Sequence, residues 1–110
     1  MKNETLEKKD YYCNLFDFYE CLFTDKQIEY FKEYYFYDLS LSEIAENHGI
    51  SRAAVYDVLS KMQDALDGYE KNLGLLNRYN KIDNLCSEYE SKGKDNPMLM
   101  EFIKKIKDNE

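Results

Sequence analysis

Residues 39–61 read LSLSEIAENHGISRAAVYDVLSK, a pattern that predicts a helix-turn-helix. Ser42 is the expected cap of a short helix, 42–47, that carries Ile44 and Ala45 inward. Gly49 makes the turn, and Ile50 is expected to plug the elbow. Ser51 caps the second helix, whose inner face is Val55, Val58 and Leu59. In this motif the second helix is the one offered to a DNA major groove. Its outward residues are Ser51, Arg52, Tyr56, Asp57, Ser60 and Lys61, the candidate contacts to nucleic acid or to a partner protein.

Each of these has a plainer reading beside the functional one. Arg52, first residue of the helix, reaches a phosphate or a guanine edge, or else bridges to Asp38 or Glu46. Tyr56 stacks on a base or fills a protein pocket, or lies partly buried against its own helix. Asp57 repels phosphate, although it could accept a hydrogen bond from cytosine N4. It also stands four residues before Lys61, the favoured acid-first order for an ion pair. We read Asp57 as the mark of a protein-facing surface. His48, in the turn, reads as a polar surface group rather than a ligand, and no metal or cofactor is expected.

The chain of 110 residues suits one compact domain with a protruding element. Its net charge of −7 is wrong for a general DNA binder, which usually carries a basic footprint. Residues 1–40 hold 5 basic and 9 acidic groups, and residues 41–70 hold 2 and 6. Residues 71–110 hold 8 and 7, so only this last part meets a phosphate backbone without net repulsion. Lys71, Arg78 and Lys81 are its candidate RNA-backbone patch, with a solvated face as the alternative.

Cys13, Cys21 and Cys86 are odd in number and lack C-x-x-C spacing, which argues against disulfides or a zinc site. Cys13 and Cys21 are expected to pack as small hydrophobes on one helix. With no apolar run near membrane-spanning length, the expectation is a cytoplasmic protein without membrane insertion. A single histidine, no phosphate-binding glycine loop and no H-E-x-x-H leave no catalytic constellation, so no enzyme is expected.

Working outward from the motif, residues 8–22 predict a first helix with Tyr12, Leu15, Phe16, Tyr19 and Leu22 inward. Thr24 to Gln27 is a T-x-x-Q capping box that starts a second helix running to about Tyr37, with Ile28, Phe31, Tyr34 and Tyr35 inward. Beyond Ser51 the residues Val55, Leu59, Met62, Leu66, Tyr69, Leu73 and Leu76 alternate steps of four and three, a heptad seam. That seam either folds back on the chain's own N-terminal helices or pairs with a second copy, and the homodimer is the reading we expect. The apolar series restarts at Tyr79, Ile82, Cys86 and Tyr89, a stammer or bend, and Gly68 and Gly74 are the candidate break points. Residues 91–97 form a loop, and residues 98–107 a last helix with Met98, Phe102, Ile103 and Ile106 apolar.

Taken in order, the aromatic FDFY of residues 16–19, FTDKQ of 23–27, YYFYDLSLSEIAE of 34–46 and SRAAVYD of 51–57 resemble the YlxM family of small bacterial helix-turn-helix proteins. DGYEKNLGL at 67–75 is similar to that family's continuation of the long helix. The resemblance implies a fold like the fourth region of bacterial sigma factors, with a long C-terminal helical extension and a dimer. It also implies a setting, because the family's genes neighbour those of the signal recognition particle GTPase and its receptor. One departure stands out: where the family commonly carries Ile-Lys-Arg, this chain has Leu59, Ser60 and Lys61, with less basic charge on the recognition helix.

The expected architecture is therefore all-α, a sigma region-four-like helix-turn-helix domain over residues 1–66 and a dimerising helical extension over 67–110. The expected function is a non-enzymatic regulator or accessory protein of the signal recognition particle pathway, touching its GTPase, the receptor or the particle RNA. A DNA-binding transcriptional regulator is the second reading, and a dimeric protein scaffold the third.

Overall fold

The computed structural model describes residues 4–109. They form six helices: α1 (Leu6–Tyr19), α2 (Asp25–Tyr35), α3 (Leu41–His48), α4 (Arg52–Leu73), α5 (Leu75–Lys92) and α6 (Pro97–Asp108), and no strand occurs among the described residues. The helices divide into two compact units after Gly74.

In the first unit α1 starts at Thr5, whose Oγ1 accepts the Lys8 N–H at 3.1 Å. Its face of Tyr12, Leu15, Phe16 and Tyr19 is buried as the periodicity requires. The helix does not continue to Leu22. Glu20–Leu22 tighten into a 3₁₀ turn, which rotates Leu22 and Cys21 out of the inward stripe and leaves both exposed. Cys21 therefore is not a packed hydrophobe, and Cys13 is half-buried.

The capping box of α2 forms. The Gln27 N–H donates to Thr24 Oγ1 at 3.2 Å, and the Thr24 N–H donates to Gln27 Oε1 at 2.9 Å. The inward stripe gains Tyr30, and Ile28 is only half-buried. The helix stops at Tyr35, two residues early, where the Tyr37 N–H reaches five residues back to the Lys32 carbonyl at 3.0 Å. Asp38 follows at φ 55°, the left-handed conformation that a short polar side chain tolerates better than most.

Ser40, and not Ser42, caps α3. The Glu43 N–H donates to Ser40 Oγ at 3.0 Å while the Ser40 N–H donates to Glu43 Oε1 at 3.1 Å. This S-x-x-E box starts the helix one residue earlier than expected and brings Leu41 into the core, while Ser42 is exposed within the first turn.

Helix α4 is the hub, and α1, α2 and α3 all pack on it. Val55, Leu59, Met62 and Leu66 are buried, and Val58 is half-buried. Tyr69 meets Tyr19 and Phe23 at ring centroid distances of 5.7 and 5.9 Å. The seam from Val55 to Tyr69 thus folds back on the chain's own helices, leaving no room there for a second copy. Phe16 and Phe31 stack beneath it at 4.0 Å. Around the edge, tyrosine rings are buried with their hydroxyls turned to polar groups. Tyr12 donates to Asp67 at 3.1 Å and Tyr19 to Glu70 at 2.8 Å. Tyr35 donates to Glu4, and the Gln63 amide donates to both Glu4 and Tyr35.

The long helix ends where glycine permits it. Gly74 takes φ 62° and its N–H bonds the Glu70 carbonyl at 2.8 Å, a left-handed cap. The heptad pattern into Leu76 is therefore not one helix, and Leu73 is exposed. The expected boundary at 66/67 falls inside α4.

The second unit is a hairpin of α5 and α6. Helix α5 reaches Lys92, past the expected loop start at Ser91. A Cβ on Gly93 would displace the end of the Leu99 side chain and lie 3.2 Å from the Tyr89 carbonyl oxygen, so glycine eases the close packing of the turn. Asn96 Oδ1 accepts the Leu99 N–H at 3.2 Å and Pro97 occupies the first turn of α6. Cys86 and Ile103 are buried, and a Lys107–Glu90 ion pair at 2.6 Å ties the two helices. Tyr79 and Tyr89 of the restarted apolar series, and Met98 and Phe102 of the last helix, are exposed. Periodicity finds the apolar face of a helix but not whether anything covers it.

Candidate partner interface on the recognition helix

The turn between α3 and α4 is built by backbone geometry. Gly49 sits at φ 65°, its N–H bonding the Glu46 carbonyl at 3.4 Å, and the Ile50 N–H reaches the Ala45 carbonyl at 3.1 Å. This paired closure is a Schellman motif, which needs a left-handed residue at Gly49. Ile50 does not plug the elbow, since 36 % of it remains exposed. Ser51 then caps α4, its Oγ accepting the Ala54 N–H at 3.0 Å.

A second contact fixes the same turn, and the sequence did not announce it. His48 is not a surface group: its side chain is 7 % exposed. Its ring meets Tyr30 edge-on at 4.7 Å, and its Nε2–H donates to the two Glu33 carboxylate oxygens at 2.9 and 3.0 Å. Because a carboxylate only accepts, this bond selects the tautomer with hydrogen on Nε2. Glu29, one turn before Glu33, is 3.9 Å from the same nitrogen and 3.6 Å from Lys26. Glu29, Glu33 and His48 form the one gathering of possible metal-ligand groups among the described residues. The imidazole answers Glu33 and Lys26 answers Glu29, so the cluster stands as a brace from α2 to the end of α3. The four-residue spacing of Glu29 and Glu33 was the available signal, but nothing in it pointed to His48.

Of the six recognition-helix residues, Ser51, Arg52, Tyr56, Asp57 and Lys61 are exposed and Ser60 is half-buried. Asp57 and Lys61 form the expected i,i+4 ion pair at 3.0 Å. With both side chains largely in solvent, that pair adds little stability. It does neutralise one of the face's two cations. Arg52 bridges neither Asp38 nor Glu46, and its guanidinium is the cation this face leaves unpaired among the described residues. Glu43 and Glu46 on α3, and Asp64 on α4, are also exposed. The Ser40 N–H and hydroxyl hold the Glu43 carboxyl below its usual range, so it is charged at neutral pH.

The basic residues farther along do not share a helix. Lys71 lies on α4 in the first unit, whereas Arg78 and Lys81 lie on α5 in the second. All three are exposed. No helix among the described residues is long and apolar enough to cross a membrane.

Sequence comparison agrees with this geometry. A family model described as "Putative helix-turn-helix protein, YlxM / p13 like" matches residues 6–108. A UPF0122 protein of Listeria welshimeri is 42% identical over 90 residues, covering 82% of this chain and 82% of the relative. A UPF0122 protein of Bacillus cereus is 40% identical over 108 residues, covering 92% of this chain and 98% of the relative. With the helix-turn-helix in place and the match running from α1 to α6, the chain belongs to the UPF0122 family of YlxM / p13-like helix-turn-helix proteins.

Proposed function

We propose that this chain is a regulatory or accessory protein of the signal recognition particle pathway, without catalytic activity of its own. It engages a protein partner through the first turns of α4. The observation that carries the choice of a protein partner is the charge of that face. Among the described residues Arg52 is its unpaired cation, Lys61 is neutralised by Asp57, and Glu43 and Glu46 on α3 and Asp64 farther along α4 are exposed acids. A phosphate backbone is repelled by such a surface, while a basic protein surface is attracted to it. The pathway rests on the motif resemblance and the gene setting that it implies. Retention of the targeting GTPase, its receptor or the particle RNA on immobilised protein at moderate salt tests it. Loss of all three counts against the pathway.

A DNA-binding regulator is the second reading, favoured by one observation: Ser51 and Arg52 stand exposed at the α4 N-terminus, where a recognition helix meets its groove. With Lys61 tied to Asp57, about two phosphate contacts per chain remain, giving a salt slope near −2. Competition among genomic fragments separates the readings, because a regulator enriches one sequence and a protein adaptor none. A pure scaffold, the third reading, keeps every partner after Arg52→Ala with Lys61→Ala.

A further inference from the structure

We propose that Glu29, Glu33 and His48 form a binding site for one divalent transition-metal ion of the zinc class. The site does not depend on which partner the recognition helix meets. Such an ion needs electron-pair donors converging from several directions. Glu29 and Glu33 stand one helical turn apart on α2, so their carboxylates leave the same face. His48, the last residue of α3, comes to that face from a different helix. One oxygen of each carboxylate and a nitrogen of the imidazole all lie within 4.8 Å of one another.

The three donors differ in freedom. The His48 side chain is 7 % exposed and its ring is set edge-on to Tyr30, so Nε2 is held in one direction. Glu33 is 16 % exposed and places both oxygens against that nitrogen, at 2.9 and 3.0 Å. Glu29 is half in solvent, with an oxygen 3.9 Å from Nε2. Around a tetrahedral zinc with bonds of about 2.0–2.2 Å, neighbouring donors sit roughly 3.3–3.6 Å apart. Reaching that spacing opens the Glu33 contact and closes the Glu29 contact by about half an ångström each. Glu29 has the room to make most of the adjustment.

In the protein as it stands, a hydrogen on Nε2 fills the centre of the cluster. Zinc takes its place when that hydrogen moves to Nδ1, so the imidazole stays neutral and no net proton is released. Lys26 is the competing cation, 3.6 Å from Glu29. That pair is exposed and weak, and the Lys26 ammonium also lies over the Tyr30 ring at 5.7 Å, where it can stay. Two carboxylates beside one lysine leave negative charge for a divalent cation to neutralise. The donor set chooses the metal. Imidazole with carboxylates suits zinc and its neighbours, and three protein donors leave the fourth position to water. Calcium and magnesium call for larger shells made of oxygen alone. An ion here ties α2 to the residue directly before the Gly49 turn, and so stiffens the lead into the recognition helix.

His48 is the single histidine of the chain, so its ring signals in a nitrogen–proton correlation spectrum report on this site alone. Zinc chloride, and separately magnesium chloride, is titrated into the full chain and into Glu29→Gln and Cys21→Ser. The expected result is a saturable shift of the His48 ring signals with zinc, complete at one ion per chain, and none with magnesium. Glu29→Gln weakens zinc binding at least about tenfold, since loss of even an outer-shell partner costs that much. Cys21→Ser, which removes the exposed thiol, leaves the affinity unchanged. Circular dichroism verifies that Glu29→Gln, at an exposed site, keeps its helices. The proposal is overturned by ring signals that zinc does not move at sub-millimolar concentration, by an equal shift with magnesium, or by an affinity that Glu29→Gln leaves intact or Cys21→Ser abolishes.

Discussion

In residues 4–74, Phe16, Phe31, Ile44, Val55, Leu59 and Leu66 are exposed by 1 % or less, whereas in residues 75–109 Met98 and Phe102 remain 80 % and 62 % exposed. Both regions are amphipathic helices with similar spacing of apolar residues. The difference is in the number of faces that converge. Three helices close on α4 from different sides, so its seam is covered, while within the second unit α5 packs against the single helix α6. Charge divides the same way, with the whole excess of acid on the first unit. An amphipathic pattern therefore identifies which side of a helix seeks cover, and the count of neighbours decides whether it finds cover within the chain.

The comparison breaks most visibly in the core of the first unit. Leu59→Ala removes a fully buried side chain at the hub and is expected to cost about 2–5 kcal/mol by urea denaturation. Phe102→Ala, which removes more carbon from a more open site, is expected to cost under about 0.5 kcal/mol at concentrations where the chain is monomeric.

Alkaline pH acts next, on the tyrosines at the first unit's polar edge. Burial, and then the hydrogen bond to Asp67, raises Tyr12 above the ordinary tyrosine value, and burial raises Tyr35 too. A raised folded pKa gives stability that is whole below the unfolded value of about 10 and falls as pH climbs past it. A pH series of denaturation midpoints should decline above that point, and Tyr12→Phe should flatten the decline.

Ser40→Ala sharpens the account of the motif itself. Loss of the α3 capping box should cost about 1 kcal/mol, against little change for Ser42→Ala, by thermal or urea unfolding. The Glu43 half of the box has a depressed folded pKa, so its contribution is present at neutral pH and lost as acid protonates it. One further small effect has the opposite sign. Asp38→Gly relieves a left-handed non-glycine residue and should raise stability by about 0.5–1 kcal/mol.

Much of this fold was legible beforehand because its signals are local. The Thr24–Gln27 box, the Gly49 turn and the Ser51 cap each lie within a few residues and do not depend on tertiary context. Ser40 and Ser42 flank the same leucine, and only Ser40 has a glutamate three residues on, the signal that distinguishes the true cap. The heptad seam showed its face clearly, but the same spacing serves a coiled coil and a helix packed on its own chain. The site was legible as a set of exposed residues and as the Asp57–Lys61 pair. Its brace was not, because His48 and Glu33 are 15 residues apart and meet only after α2 and α3 have packed.

The claim that most needs a direct test is that the acidic recognition face meets protein. Titration of the labelled full chain with the purified targeting GTPase at moderate salt, for wild type and Asp57→Lys, examines it. The account predicts saturable binding that Asp57→Lys weakens about tenfold, as loss of a complementary charge does at a protein interface. Absence of binding, or an Asp57→Lys variant that instead gains affinity for genomic DNA at one enriched sequence already selected by the wild type, would contradict it.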